Sequence, residues 1–232
     1  MAVAHDAATE TTSTFGASPD PFTFSHTPVG TPKGVIVFIA HSADVDTIVG
    51  VSYGGVAMSR VLRASDAAGE PGSCYAYFLG SGIPTGAQTV SIDHNGGANA
   101  KYAQCITITA ASNTAVQASG KIDGDTADPQ IALNSGSATA IRYACTYSGL
   151  PNITDLTSIG GFTDVHSWDQ GASVRVSQRE TTPSSGSTTC GWTAANDDVA
   201  MVALAVIEVV DTGTPFPPIG QPYPSRLEVV AY

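Results

Sequence analysis

Residues 50–54 read G-V-S-Y-G, the G-x-S-x-G spacing that in hydrolases lifts a serine onto a sharp strand-to-helix turn. There the hydroxyl is exposed and backbone N–H groups face the developing oxyanion. Ser52 would be the nucleophile, and Asp164 and His166, in "FTDVHSWDQG", would complete a triad in the order Ser, Asp, His. The flanks permit this locally. "TIVG" is strand-like, and Ala57, Met58, Val61 and Leu62 fall at helical spacing. That stripe ends at Ser65 within two turns, an oxyanion loop of the His-Gly-Gly type is missing, and "FTDVHSWDQG" reads as a polar stretch between strands. The competing reading is a hairpin: Val51 and Tyr53 enter a turn at Gly54 and Gly55, which supply the positive φ that a tight hairpin demands. The rest of the chain agrees with the hairpin, so no catalytic residue is expected.

Other reactive side chains lead to similar choices. "DGDTAD" spaces Asp123, Asp125 and Asp128 like a fragment of a calcium loop, without the later bidentate Glu, and reads as a solvated loop. The five histidines (His5, His26, His41, His94, His166) show no H-x-H or H-x3-H spacing, so neither a transition metal nor another cofactor is expected. Cys74, Cys105, Cys145 and Cys190 lie 31, 40 and 45 residues apart in strand-like stretches. They read as buried free thiols, with disulfides open only to a protein that matures outside the cell. Trp168 and Trp192, with Tyr53, Tyr75 and Tyr77, offer aromatic area for sugar stacking, although Trp192 reads as core.

The scaffold for these residues is all-β. Of 232 residues only 12% are charged, and 9 Lys and Arg against 20 Asp and Glu give a net charge of −11. The cations are scattered, which excludes the grouped phosphate contacts of direct nucleic-acid binding. The longest apolar run, "VAMVALAVIEVV" at 199–210, is too short to span a bilayer. Ten or eleven short strands separated by Gly, Pro, Asn and Asp predict an antiparallel sandwich over 22–210, with no visible internal repeat. Residues 1–21 are polar, without sustained period, and are expected to form an arm; they contain no secretory n- or h-region. From 211 to 232 five prolines in 22 residues predict a second, extended arm. Its candidate docking residues are Pro215, Phe216, Pro217, Pro218, Tyr223, Pro224, Leu227, Val229 and Tyr232.

The run of "VSYGGVAMSRV", "CYAYFLG", "IPTGAQTVSI" and "DDVAMVALAVIEV" resembles a jelly-roll-like β-sandwich domain that recurs in phage virion proteins and some bacterial surface proteins. The likeness rests on Val51 to Met58 and Pro84 to Val90, covers about 22–210, and carries no catalytic residues. It implies a non-enzymatic structural protein of a phage or phage-like particle: a head decoration, spike or fibre, or a tail accessory subunit. Such a subunit would assemble in the bacterial cytoplasm and reside in the virion. Its expected partners are other copies of itself, neighbouring virion proteins and a host-surface glycan, without membrane insertion. A carbohydrate-binding or adhesin-like module is the alternative, and a serine hydrolase using Ser52 the remote one.

Overall fold

The computed structural model describes residues 2–13, 20–67, 69, 71–95, 101–150, 152–169, 173–195 and 197–209. The first half holds β1 (Ala4–Ser13), β2 (Phe22–His26), β3 (Gly34–His41), β4 (Ile48–Tyr53), β5 (Val56–Ala57), β6 (Ser59–Asp66), β7 (Gly72–Leu79), β8 (Gln88–His94) and β9 (Lys101–Thr109). They form a five-stranded sheet, β1-β9-β3-β7-β6, and a four-stranded sheet, β2-β8-β4-β5. The second half holds β10 (Thr114–Asp123), β11 (Gln130–Asn134), β12 (Ala140–Ser148), β13 (Thr157–Ser158), β14 (Phe162–Asp169), β15 (Val174–Glu180), β16 (Ser187–Thr193) and β17 (Val199–Glu208). Its sheets are β10-β17-β12-β15-β14 and β11-β16-β13.

These two sets have the same topology. Replacing β1, β9, β3, β7 and β6 by β10, β17, β12, β15 and β14 reproduces the five-stranded order, and β2-β8-β4 becomes β11-β16-β13. The expected antiparallel sandwich is therefore present twice, as tandem jelly rolls. One short sequence echo survives. S-Y-G-G-V at 52–56 and S-I-G-G-F at 158–162 occupy the same turn in each roll. At the first, Gly54 and Gly55 take φ of 55° and 80° between the pairs Tyr53–Val56 and Ser52–Ala57. At the second, Gly161 takes φ of 88°.

The rolls stack through their five-stranded sheets, giving four layers and three apolar slabs. Val35, Val37, Ile39, Tyr53, Val90 and Ile92 fill the first roll. Leu133, Ala144, Val176, Trp192 and Met201 fill the second. Between the rolls lie Ile36, Phe38, Ile106, Tyr143, Tyr147, Val202 and Leu204. Strands β3 and β12 are buried along their whole length because both faces meet a slab; β3 accordingly reads as a near-continuous apolar run, whereas β12 also buries Arg142, Thr146 and Ser148. Each fully buried large aliphatic side chain contributes about 1.5–3 kcal/mol. Gly72 keeps the inner sheets close, since a Cβ there would overlap the Tyr147 ring.

Edges meet edges in a pseudo-two-fold manner. Glu10 of β1 faces His166 of β14, and the Ser65 N–H of β6 donates to Asp123 Oδ1 of β10 at 2.8 Å. All four of these edge strands carry a register shift, at His5/Ala7, Arg60/Leu62, Val116/Ala118 and Asp164/His166. A bulge of this kind twists an edge and discourages further strand pairing.

Several expectations change. Ala4–Ser13, expected within an arm, is a full edge strand paired with β9. The stretches read as a polar loop near 119–123 and as a polar interval at 162–169 are strands β10 and β14. The segment with helical spacing after Gly55 is β5 and β6. The Pro-rich arm, with Pro215, Phe216, Pro217, Pro218, Tyr223, Pro224, Leu227, Val229 and Tyr232, lies outside the described residues.

Candidate functional site

Ser52 sits on β4 between Ser91 of β8 and Ala57 of β5. It lines a shallow recess with Pro21, Gly50, Val51, Ala57, Ser91 and Asp93, among which there is no imidazole. Asp164 and His166 belong to β14 in the other roll. Asp164 accepts from Trp192 Nε1 at 3.2 Å and from Ser158 Oγ at 2.6 Å, while His166 is paired with Glu10. The fold does not assemble the three as a triad.

The calcium-like loop is also taken apart. Asp123 pairs with Lys121 at 2.5 Å, and Asp128 accepts from the Ala194 N–H at 2.9 Å. Asp125 instead meets Asp66 and Asp198, with one oxygen from each lying within 4.8 Å of the others. Sequence reading missed this because the three come from β6, the loop after β10 and the residue before β17. Such a group can share a proton or approach a cation. The Asp125 carboxyl is pushed above its ordinary range, first by the hydrogen bond it shares with Asp198, then by burial and the charges of Asp198, Asp66 and Asp197. A carboxyl raised in the folded state favours folding at low pH, and that advantage is lost as pH rises through its folded value. Asp125→Asn is therefore expected to gain stability over the wild type on going from acid to neutral pH, as read from urea midpoints; a constant difference would count against the shared proton.

The aromatic platform is likewise not available. Tyr53, Tyr75 and Trp192 are fully buried and Tyr77 nearly so. Trp168 and Tyr147 enclose the buried Arg175 guanidinium, at 4.8 and 4.9 Å from their ring centres. Burial lowers the Arg175 pKa to about 10, so it remains a cation at neutral pH. The four cysteines are free and buried; burial pushes the Cys190 thiol up to about 12, and Cys105 is raised for the same reason. Unreactive thiols follow.

Two polar clusters remain inside. Arg142 is fully buried in the second roll. Its Nη1 meets Glu180 Oε2 at 2.9 Å, Nη2 donates to Gly186 O at 2.7 Å, and Nε donates to Leu133 O at 3.2 Å. This straps β11, β12, β15 and the loop before β16 together. The second cluster lies at the seam between the rolls. Tyr102 stacks on His166 with ring centroids 5.9 Å apart, and a cavity of about 350 Å³ opens between Ala8, Thr9, Glu10, Gln104, Val165 and His166. Burial lowers the His166 pKa.

Of the nine cations, Lys101, Arg142 and Arg175 are fully buried, so the surface is even more acidic than the sequence suggests. This disfavours polyanionic partners. Among the described residues, no helix is long and apolar enough to cross a membrane. No protein-family model matches the chain, and no curated protein matches it.

Proposed function

We propose that this protein is a non-enzymatic structural subunit of a phage or phage-like particle, on the outside of the head or tail, assembling with its own copies and neighbouring proteins. The observation that carries this reading is the four-layer slab and the character of its two outer faces. Thr23, Ser25, Thr89, Ser91 and Ser52 cover one side, and Ala132, Asn134, Ser187, Thr189 and Thr193 the other. Faces made mostly of small, uncharged polar residues, with Asp93 as a charge on the first, can be covered by a neighbour while burying few ions, and burying ions is the expensive part of desolvating an interface. The four bulged edges direct contacts to those faces and to the terminal arm instead of to open-ended strand pairing. The dispersal of Ser52, Asp164 and His166 supports a role without chemistry.

The test is removal of 211–232. Full-length protein is expected to form a defined oligomer in light scattering and to be found by mass spectrometry in purified particles. The truncated chain should remain folded but lose incorporation. A full-length protein that stays monomeric at high concentration and is absent from particles would sink the proposal.

A further inference from the structure

We propose that the groove between β6, β7 and β10 is the docking site of this chain's own Pro-rich segment, with Phe216 as the anchor. The groove holds about 490 Å³, and Phe78, Leu79, Ala115, Val116 and Val209 supply its apolar wall. None of the described residues lining it is ionisable. It forms where β7 ends beside the start of β10. There the Thr114 N–H donates to Gly80 O at 3.2 Å, and a Cβ at position 80 would overlap the Thr114 carbonyl oxygen. Val209 is one of four large hydrophobic side chains that are exposed among the described residues, and it is the one that borders a recess of this kind. A concave apolar surface left open to water marks an interaction site.

The chain itself supplies the occupant. β17 ends at Glu208, whose carboxylate accepts from the Ser112 N–H at 2.7 Å. Val209 follows, its N–H donating to Asn113 O and its carbonyl accepting from Ser112 Oγ, both at 2.8 Å. The exit point is thus fixed on the wall of the groove, and residues 210–232 continue from there. Phe216 is the first aromatic residue beyond it, seven positions on from Val209, within the roughly 25 Å that seven extended residues can cover. So short a tether gives an effective concentration in the mM range, which favours the chain's own segment over that of a second copy. Residues 212–224 contain no charged side chain on a chain whose net charge is −11, so neither groove nor occupant gives up a hydrated ion. Proline has a fixed φ, so a segment with Pro215, Pro217 and Pro218 around Phe216 loses little entropy on docking against an aromatic-lined groove. The inference does not rest on the particle reading, because the docking is within one chain and leaves Tyr223 to Tyr232 for neighbouring proteins.

The experiment is amide hydrogen exchange in the isolated full-length protein, read at Thr114 and Val209, which line the groove. Phe216→Asp, which changes none of the described residues, is expected to speed exchange at both by about tenfold or more, because a docked segment must leave before these amides open. Amides of β3 and β12 should keep their wild-type rates. Tyr223→Asp should leave Thr114 and Val209 as protected as in the wild type. That protection should also survive about a hundredfold dilution of the protein, as tethered docking requires. Unchanged exchange in Phe216→Asp would overturn the proposal, and so would equal acceleration by Tyr223→Asp. Acceleration spread evenly over β3 and β12 would signify a loss of global stability and reject docking. Protection that fades on dilution would put the segment of a second copy in the groove, which equally rejects docking within one chain.

Discussion

Glu180→Ala is expected to cost about 3–5 kcal/mol of unfolding free energy, because it leaves a cation buried without its counter-charge. Arg142 has no exposed surface, and its Nη1 meets both Glu180 oxygens, at 3.1 and 2.9 Å. The remaining donors are committed to Leu133, Ser135, Ser184 and Gly186, so the guanidinium cannot swing out to water without opening the β11–β12 and β15–β16 connections. Urea unfolding followed by the fluorescence of Trp192, which is buried in the same slab, would read the loss. The double change Arg142→Met with Glu180→Leu should recover most of it, since an apolar pair of similar size avoids the desolvation of both ions. A single variant within about 1 kcal/mol of the wild type, the value of an exposed pair, would show that the pair does not hold the second roll together.

The next largest effect should come from acid. His41 ends β3 with no exposed surface. Its pKa is lowered from 6.5 to about 4, first by burial and then by the charge of Lys101, with smaller contributions from His94 and Arg175. The unfolded chain takes up this proton near 6.5 and the folded protein only near 4. The associated stability is complete above 6.5 and is lost progressively as pH falls toward 4, amounting to about 3 kcal/mol. His5, also lowered to about 4, adds a smaller part because its ring is partly exposed. In His41→Gln, the fall in stability between these values should be visibly shallower. An unchanged slope would place the acid sensitivity elsewhere.

What the sequence reveals follows from where each strand sits. Strands β3, β9, β12 and β17 are buried on both faces; the apolar runs of β3 and β17 identify them directly, while β9 and β12 mix in polar residues and are legible from their aromatic and β-branched content. The four edges of the central sheets do not behave this way. Strands β1, β10 and β14 read as polar segments and β6 also as a short helix, because each bulge breaks the two-residue alternation on which strand recognition depends. β1 carries only alanines among polar residues, since part of its inner face meets the Gln104 cavity rather than a core. Missing those edges hides the repeated topology too. The sequence echo at 52–56 and 158–162 is five residues long, and its first copy coincides with a hydrolase-like spacing. The Asp125 cluster and the seam cavity were illegible for a simpler reason: their members come from strands far apart in the chain.

A symmetric pair of identical subunits must accept every mutation twice, once on each side of its axis. Two rolls in one polypeptide escape that restriction, and here the two ends of the seam differ. One carries the Glu10–His166 pair; the other carries three carboxylates and the Ser65–Asp123 bond. Likewise one roll is filled with tyrosine and branched aliphatic residues while the other holds an ion pair. With both rolls in one polypeptide, each half can carry its own side chains, while the shared interior still obliges both to remain folded together.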